Sequence, residues 1–302
     1  MSNIIAVIWD CDKTLIDGYM QDPIFRKFNI DAHEFWKEVN EAPKKLEETG
    51  IRVNHDTYYL NHFIKYVYNG KMAGLSNKML REFGNEQKLY PGTLELFEKL
   101  NNMFIEDASY AEYGIKVENY IVSTGFAEVI RGTPLMTYVK NIWGCELIER
   151  LDDNDNNVIS EVVYAIDNTT KTRAIFEINK GIGIWENIDV NAKIPKESRR
   201  VQFENMIYIA DGPSDIPAFS VIKQKGGSTF AIYPKGDIEA MKQVEQMRKD
   251  GRVDMYAEAD YSENTTANMW ITNKVKELAD NIKEREKKKI LSSASCAPHH
   301  LV

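Results

Sequence analysis

The chain has 302 residues, of which 43% are apolar, 28% charged and 11% aromatic, the composition of a folded globular protein and not of a disordered or repetitive one. Its length exceeds one average domain and predicts either a large domain with an insertion or two domains. Thirty-eight basic against 46 acidic residues give a net charge of -8, which argues against a nucleic-acid partner but leaves room for a local positive pocket.

Cys11, Cys145 and Cys296 are too scattered for a disulfide framework or a zinc knuckle, and an odd count suits a reducing compartment, so a cytoplasmic location is expected. No charged and apolar leader pattern opens the sequence, and no stretch approaches the roughly 18 uninterrupted apolar residues of a membrane span. His33, His55 and His62 lie in one early block and His299 and His300 in the extreme tail, leaving residues 63–298 free of histidine. That distribution disfavours a Ser-His-Asp or Cys-His centre and a histidine-bound zinc, and it points to carboxylate chemistry.

In chain order, residues 4–9 form a β-branched run of the kind buried on both faces of a parallel sheet. Residues 19–88 then change texture: apolar and aromatic side chains recur at helical spacing, punctuated by Pro43, Gly50, Gly70 and Gly74, which predicts a small helical unit. Its Trp36, Tyr58, Tyr59, Phe63 and Tyr66 read first as that unit's own core, with lining of a pocket as the alternative for some of them. An amphipathic helix from Thr93 follows, and then a strand over residues 117–122.

Residues 147–151 and 158–165 read as a hairpin around an Asp/Asn-rich turn. That turn lacks the glycine and glutamate of a calcium loop, which are Val158 and Tyr164 here. A helix over about 170–179, strands at 206–210 and 230–233, a charged helix at 238–248 and a long helix over about 265–290 complete the pattern. The expected architecture is a three-layer α/β/α core around a parallel sheet, residues 1–18 and 89–291, with a helical cap at 19–88 and a disordered tail at 292–302.

Asp10-Cys-Asp12-Lys-Thr14 stands at the carboxyl end of the first strand, where α/β sheets bind ligands. Two carboxylates held together repel each other, which tends to keep one protonated near neutrality, so one can attack while the other moves a proton. Cys11 between them reads as a small buried spacer.

A hydrophobic strand followed by Asp-x-Asp-x-Thr resembles the first motif of the haloacid dehalogenase (HAD) superfamily, particularly its phosphatases, and of these the phosphoserine-phosphatase-like branch with a helical cap between the first two motifs. Ser123-Thr124-Gly125, after the strand at 117–122, is similar to the second motif, and Asp211-Gly-Pro-Ser-Asp215 to the acidic fourth. The third motif is a lone lysine. Lys171 and Lys180 lie at opposite ends of one helix, roughly 13 Å apart, and the end that leads away from the sheet's carboxyl edge selects Lys171.

The resemblance implies a magnesium-dependent phosphatase acting on a small-molecule phosphate ester. In it Asp10 would form an aspartyl-phosphate, Asp12 would serve as acid and base, and Ser123, Thr124, Gly125 and Lys171 would hold the phosphoryl group. Mg2+ would be bound by Asp10 and Asp211, by the Asp12 carbonyl, and with support from Asp215. Asp12 and the Asp211/Asp215 pair argue against dehalogenation. A phosphonatase with a cap lysine (Lys27, Lys37 or Lys65), a phosphotransferase, or a non-catalytic binding protein of the same fold are the alternatives. Arg26, Lys27, His33, Arg52, His55, His62 and Arg81 are the polar cap residues from which substrate contacts would be drawn, although each taken singly reads first as a solvated surface residue.

Overall fold

The computed structural model describes residues 3–186 and 188–295, and the side chains up to 292. The strands are β1 (Ile4–Trp9), β2 (Lys116–Phe126), β3 (Val139–Leu151), β4 (Asn157–Tyr164), β5 (Met206–Ala210), β6 (Ser228–Tyr233) and β7 (Met255–Glu258). The helices are α1 (Asp22–Phe28), α2 (Ala32–Glu47), α3 (Tyr58–Tyr68), α4 (Asn77–Gly84), α5 (Thr93–Asn102), α6 (Ala108–Ala111), α7 (Ala127–Gly132), α8 (Thr170–Lys180), α9 (Ile216–Gln224), α10 (Ile238–Lys249) and α11 (Thr266–Ser295).

All seven strands join one sheet in the order β4-β3-β2-β1-β5-β6-β7. Every neighbouring pair is parallel except β3 with β4, which forms the expected hairpin. The fold is thus the expected α/β one. All six residues of β1 are buried, and withdrawing each large aliphatic side chain from water contributes about 1.5–3 kcal/mol. Trp9 stacks on Phe97 of α5 with ring centroids 4.9 Å apart, while Tyr208 of β5 points to the other face and meets Phe219 of α9. Helices α5 and α11 therefore cover one face of the sheet and α8 and α9 the other.

From β1 the chain passes to β2 on one side and, later, to β5 on the other, so β1 lies at the point where the strand order reverses. Crevices for ligands form there, beyond the carboxyl ends of the strands. Trp9 is level with Ile121 and with Ile209, which brings the segments following all three strands side by side.

Helices α1 to α4 occupy the segment between β1 and α5. Phe25, Phe35 and Phe63 pack on one another at 4.8 to 5.8 Å. This aromatic cluster continues into the sheet, because Tyr59 and Phe63 also meet Phe126 at the end of β2. Helix α4 crosses α7 at Gly84 and Gly132, where the backbones touch: a Cβ on Gly132 would fall on the Arg81 carbonyl. The variant Gly132→Ala is expected to lose about 1–3 kcal/mol of stability through overpacking, read as a lower urea midpoint at unchanged slope.

Several elements differ from the sequence expectation. Strand β2 runs on to Phe126, so Ser123, Thr124 and Gly125 belong to an irregular strand end with a register shift against β3. Strand β3 starts at Val139, eight residues earlier than expected. Helix α9 and the edge strand β7 had no counterpart in the sequence reading. Helix α11 continues to Ser295, so residues 292–295 extend it and do not begin a tail, and residues 296–302, with Cys296, His299 and His300, lie outside the described residues. Among the described residues, no helix is long and apolar enough to cross a membrane.

Candidate functional site

Asp10 closes β1: its amide still donates to the Ile209 carbonyl at 2.9 Å, after which the chain leaves the sheet. The Cys11 carbonyl accepts from Leu15 at 2.8 Å and Ile16 at 3.0 Å, and Lys13 takes a left-handed conformation (φ 54°). This tight loop is braced from far along the chain by the buried Tyr261, whose hydroxyl donates to the Thr14 carbonyl at 2.7 Å.

Lys171 lies in the first turn of α8. The turn is fixed by Asp167, whose carboxylate accepts from the amides of Thr169 at 3.0 Å and Thr170 at 2.6 Å. From there the Lys171 ammonium donates to Asp10 at 2.8 Å and to Asp215 at 2.7 Å, with the lysine 1% exposed. Lys180, the other lysine of this helix, instead donates to the carbonyls of Val190 and, at 2.8 Å, Ala192. Asp215 also accepts from the Tyr208 hydroxyl at 2.5 Å and from Ser214 at 2.9 Å.

Asp10, Asp211 and Asp215 each bring a carboxylate oxygen within 4.8 Å of the others. Burial raises Asp10 to about 6, with Lys171 opposing and Asp215 adding to the rise. Asp211 is pushed well above the usual carboxylate range by burial and then by Asp10 and Asp215. Asp12 is pushed up to about 7 by burial and by Asp10, although its carboxylate accepts the Met20 amide at 2.8 Å. Burial alone would lower Lys171, but Asp10 and Asp215 overcome it and hold the ammonium firmly charged.

Ser123 is buried and accepts from the Gly125 amide at 3.0 Å. The Thr124 carbonyl accepts from the Tyr59 hydroxyl at 2.7 Å. On the Asp211 side a cleft of about 520 Å³ opens between Lys13, Asp237 and Lys242. The structure thus brings Asp10, Asp211, Asp215 and Lys171 into one cluster, with Asp12 on the adjoining loop and Ser123 on the neighbouring strand. Cys11 is buried with its thiol pushed up by that burial, as a spacer should be.

Several polar residues of the helical insert pair with carboxylates away from this cluster, Arg26 with Glu86 among them. Arg81 pairs with Glu128, His55 with Glu47 and the exposed His33 with Glu34, and the buried His62 ring lies 2.9 Å from Glu38. Tyr208, Tyr59, Met20 and Tyr261 complete the cluster without having been singled out for it. Tyr208 had a visible signal, a hydroxyl within an aliphatic strand that leads into the acidic motif. Tyr59 packs in the insert's aromatic core against Trp36 and Phe63, as its spacing predicts, and its hydroxyl also reaches β2. Met20 and Tyr261 carried no signal, because their contacts close over loops that sequence spacing does not define.

The chain has the fold of the HAD hydrolases. A HAD family hydrolase from Salmonella enterica serovar Typhi aligns over 85% of this chain and 67% of its own, with a TM-score of 0.50 and 14% sequence identity. A phosphoserine phosphatase solved as a phospho-aspartyl intermediate analogue aligns over 84% and 93%, with a TM-score of 0.49 and 16% identity. In sequence the chain belongs to the same family as an uncharacterized protein of Borreliella burgdorferi, 35% identical over 289 residues that cover 90% of this chain and 97% of the other. No protein-family model matches it.

Proposed function

We propose that this protein is a magnesium-dependent phosphatase that hydrolyses a small phosphomonoester through an aspartyl-phosphate on Asp10. The observation that carries this reading is the buried Lys171 ammonium shared between Asp10 and Asp215, beside a second carboxylate, Asp12, raised to about 7. A lysine so placed keeps Asp10 partly ionised despite its burial, and it sits where a phosphoryl group beside Asp10 would bring negative charge.

In this reading an Asp10 oxygen attacks phosphorus while the ester bond to the leaving oxygen breaks. Asp12, close to half protonated at neutral pH, gives its proton to that oxygen. Asp12 then takes a proton from the water that cleaves the aspartyl-phosphate, which returns both carboxyl groups to their starting states. Ser123, the amide of Thr124 and Lys171 would hold the phosphoryl oxygens, while the Gly125 amide, expected to join them, donates instead to the Ser123 hydroxyl and steadies it.

The donor set fits magnesium. Asp10, Asp211 and Asp215 converge in a buried site where Lys171 offsets one negative charge, and a hard dication with oxygen ligands would balance the rest. Asp10 and Asp211 would hold it by their carboxylates and Asp12 by its carbonyl, while Asp215, tied to Lys171, Tyr208 and Ser214, would orient the surroundings. When bound, it supplies charge neutralisation for the transferring group.

Residues 1–18 and 89–291 make the catalytic core in this reading, and 19–88 form a cap that favours a small substrate over a macromolecule. Neither the carbon-phosphorus-cleaving alternative nor a phosphotransferase gains a specific observation: Lys27, Lys37 and Lys65 are exposed, whereas a Schiff-base lysine needs desolvation. The test is phosphate release from p-nitrophenyl phosphate and a panel of small esters, with magnesium or with EDTA. Turnover that requires magnesium is expected, and its absence across the panel, with the protein folded, would overturn the proposal.

A further inference from the structure

Lys13 occupies a position that backbone sterics would give to glycine. Its φ of 54° lies in the left-handed region, and its amide is fixed there by the Gly18 carbonyl at 3.1 Å. The loop nevertheless carries a half-buried cation at this point. That side chain lines the cleft of about 520 Å³ together with Asp211, and its ammonium stands 4.3 Å from the centre of the Tyr19 ring, itself 43% exposed.

The other charged groups of the cleft are already engaged. Asp237 caps α10, its carboxylate accepting the Ala240 amide at 2.9 Å, and Glu239 pairs with Lys242 at 2.9 Å. Asp211 belongs to the carboxylates that would hold the metal. Among the described residues no carboxylate stands within ion-pair distance of Lys13, so its ammonium rests on Tyr19 and has donors left for an incoming group.

On the phosphatase reading, on which this inference rests, the phosphoryl group lies against Asp10 and the group behind the leaving oxygen extends into this cleft. We propose that Lys13 is a specificity-determining residue that receives a second anionic group of the substrate, a carboxylate or a further phosphate. The site then takes small esters that carry negative charge beyond the phosphate being cleaved. A lysine suits this role, because its ammonium is a compact charge on a flexible stem that can leave the ring face and reach an oxyanion.

The experiment compares kcat/KM for ethyl phosphate, phosphoglycolate and ethylene glycol bisphosphate, with magnesium at low ionic strength, in the unaltered protein, Lys13→Gly, Lys13→Met and Lys13→Arg. The unaltered protein is expected to prefer an anionic ester over ethyl phosphate by about tenfold, Lys13→Gly and Lys13→Met to lose that preference, and Lys13→Arg to keep most of it. Added salt should shrink the preference wherever the cation remains. Preference for phosphoglycolate identifies the second group as a carboxylate, and preference for the bisphosphate identifies it as a phosphate. A defect in the phosphoryl step itself would scale all three esters alike. Glycine is at home in the left-handed region, so Lys13→Gly removes the charge without straining the loop.

A preference that survives both Lys13→Gly and Lys13→Met, or an unaltered protein that cleaves ethyl or p-nitrophenyl phosphate but favours neither anionic ester, overturns the role of Lys13 and leaves the phosphatase reading standing. No turnover of any ester by the unaltered protein overturns the phosphatase reading, and this inference with it.

Discussion

Asp10→Asn is expected to abolish turnover while leaving the fold at least as stable. The neutral amide oxygen is a far poorer nucleophile than a carboxylate, and loss of a covalent nucleophile lowers kcat on the order of 10⁴- to 10⁶-fold. Stability should move the other way. Burial has raised Asp10 to about 6, so at pH 8 the folded protein carries an ionised carboxylate that it solvates poorly. The amide removes that cost, and Lys171 keeps Asp215 as its partner. Thermal melts of the metal-free proteins at pH 8 should therefore give the variant a Tm equal to or above that of the unaltered chain. Activity near the original level would remove Asp10 from the reaction; a much lower Tm would show that the Asp10–Lys171 pair is a net stabiliser.

Lys171→Met is expected to show the larger loss of stability. Removing one partner from a buried ion pair strands the others, at a cost of about 3–5 kcal/mol. Here two carboxylates lose the ammonium they share. The sign of the pH dependence follows from Asp10. Its folded value is already above the ordinary 3.8 and rises further without the lysine. A group raised in this way favours the folded state at low pH and loses that advantage as pH climbs through the folded value. The deficit of Lys171→Met against the unaltered protein should thus be small near pH 5 and grow toward pH 8 in urea titrations. Lys180→Met is the matched comparison: that lysine serves the carbonyls of Val190 and Ala192, and activity should persist without it. Equal effects of the two substitutions would contradict the assignment.

The parts of this molecule that were legible in its sequence share one property, which is that their signal is local. A six-residue apolar run names β1, and an Asp-x-Asp directly after it places two carboxyl groups at the sheet's carboxyl edge. The position of Lys171 followed from helix rise and the direction of the chain. What escaped lay where local signals overlap or fade. Helix α9 begins with Ile216-Pro217 immediately after the acidic motif, so its start was absorbed into the motif loop. Strand β7 reads Met-Tyr-Ala-Glu at the sheet's edge, where half-exposed residues give neither a continuous apolar run nor clean alternation. The first half of β3 mixes Lys140, Asn141 and Gly144 into a strand held by its neighbour β2. Met20 and Tyr261 contribute through contacts to Phe126 and Thr14, partners about a hundred or more residues away, which no spacing rule reaches.

The close crossing of α4 and α7 also bears on how this protein could be recombined with its relatives. Gly84 and Gly132 press two backbones together, and just upstream the Leu75 carbonyl accepts the Ile159 amide of β4 while Asn77 binds Glu149 and the Leu147 carbonyl. The chain from Leu75 onward is therefore built into its host. A chimera that imports a foreign specificity element should exchange the segment ahead of Leu75 and keep α4 native, because a transplant reaching to residue 88 would separate two glycines that work as one position.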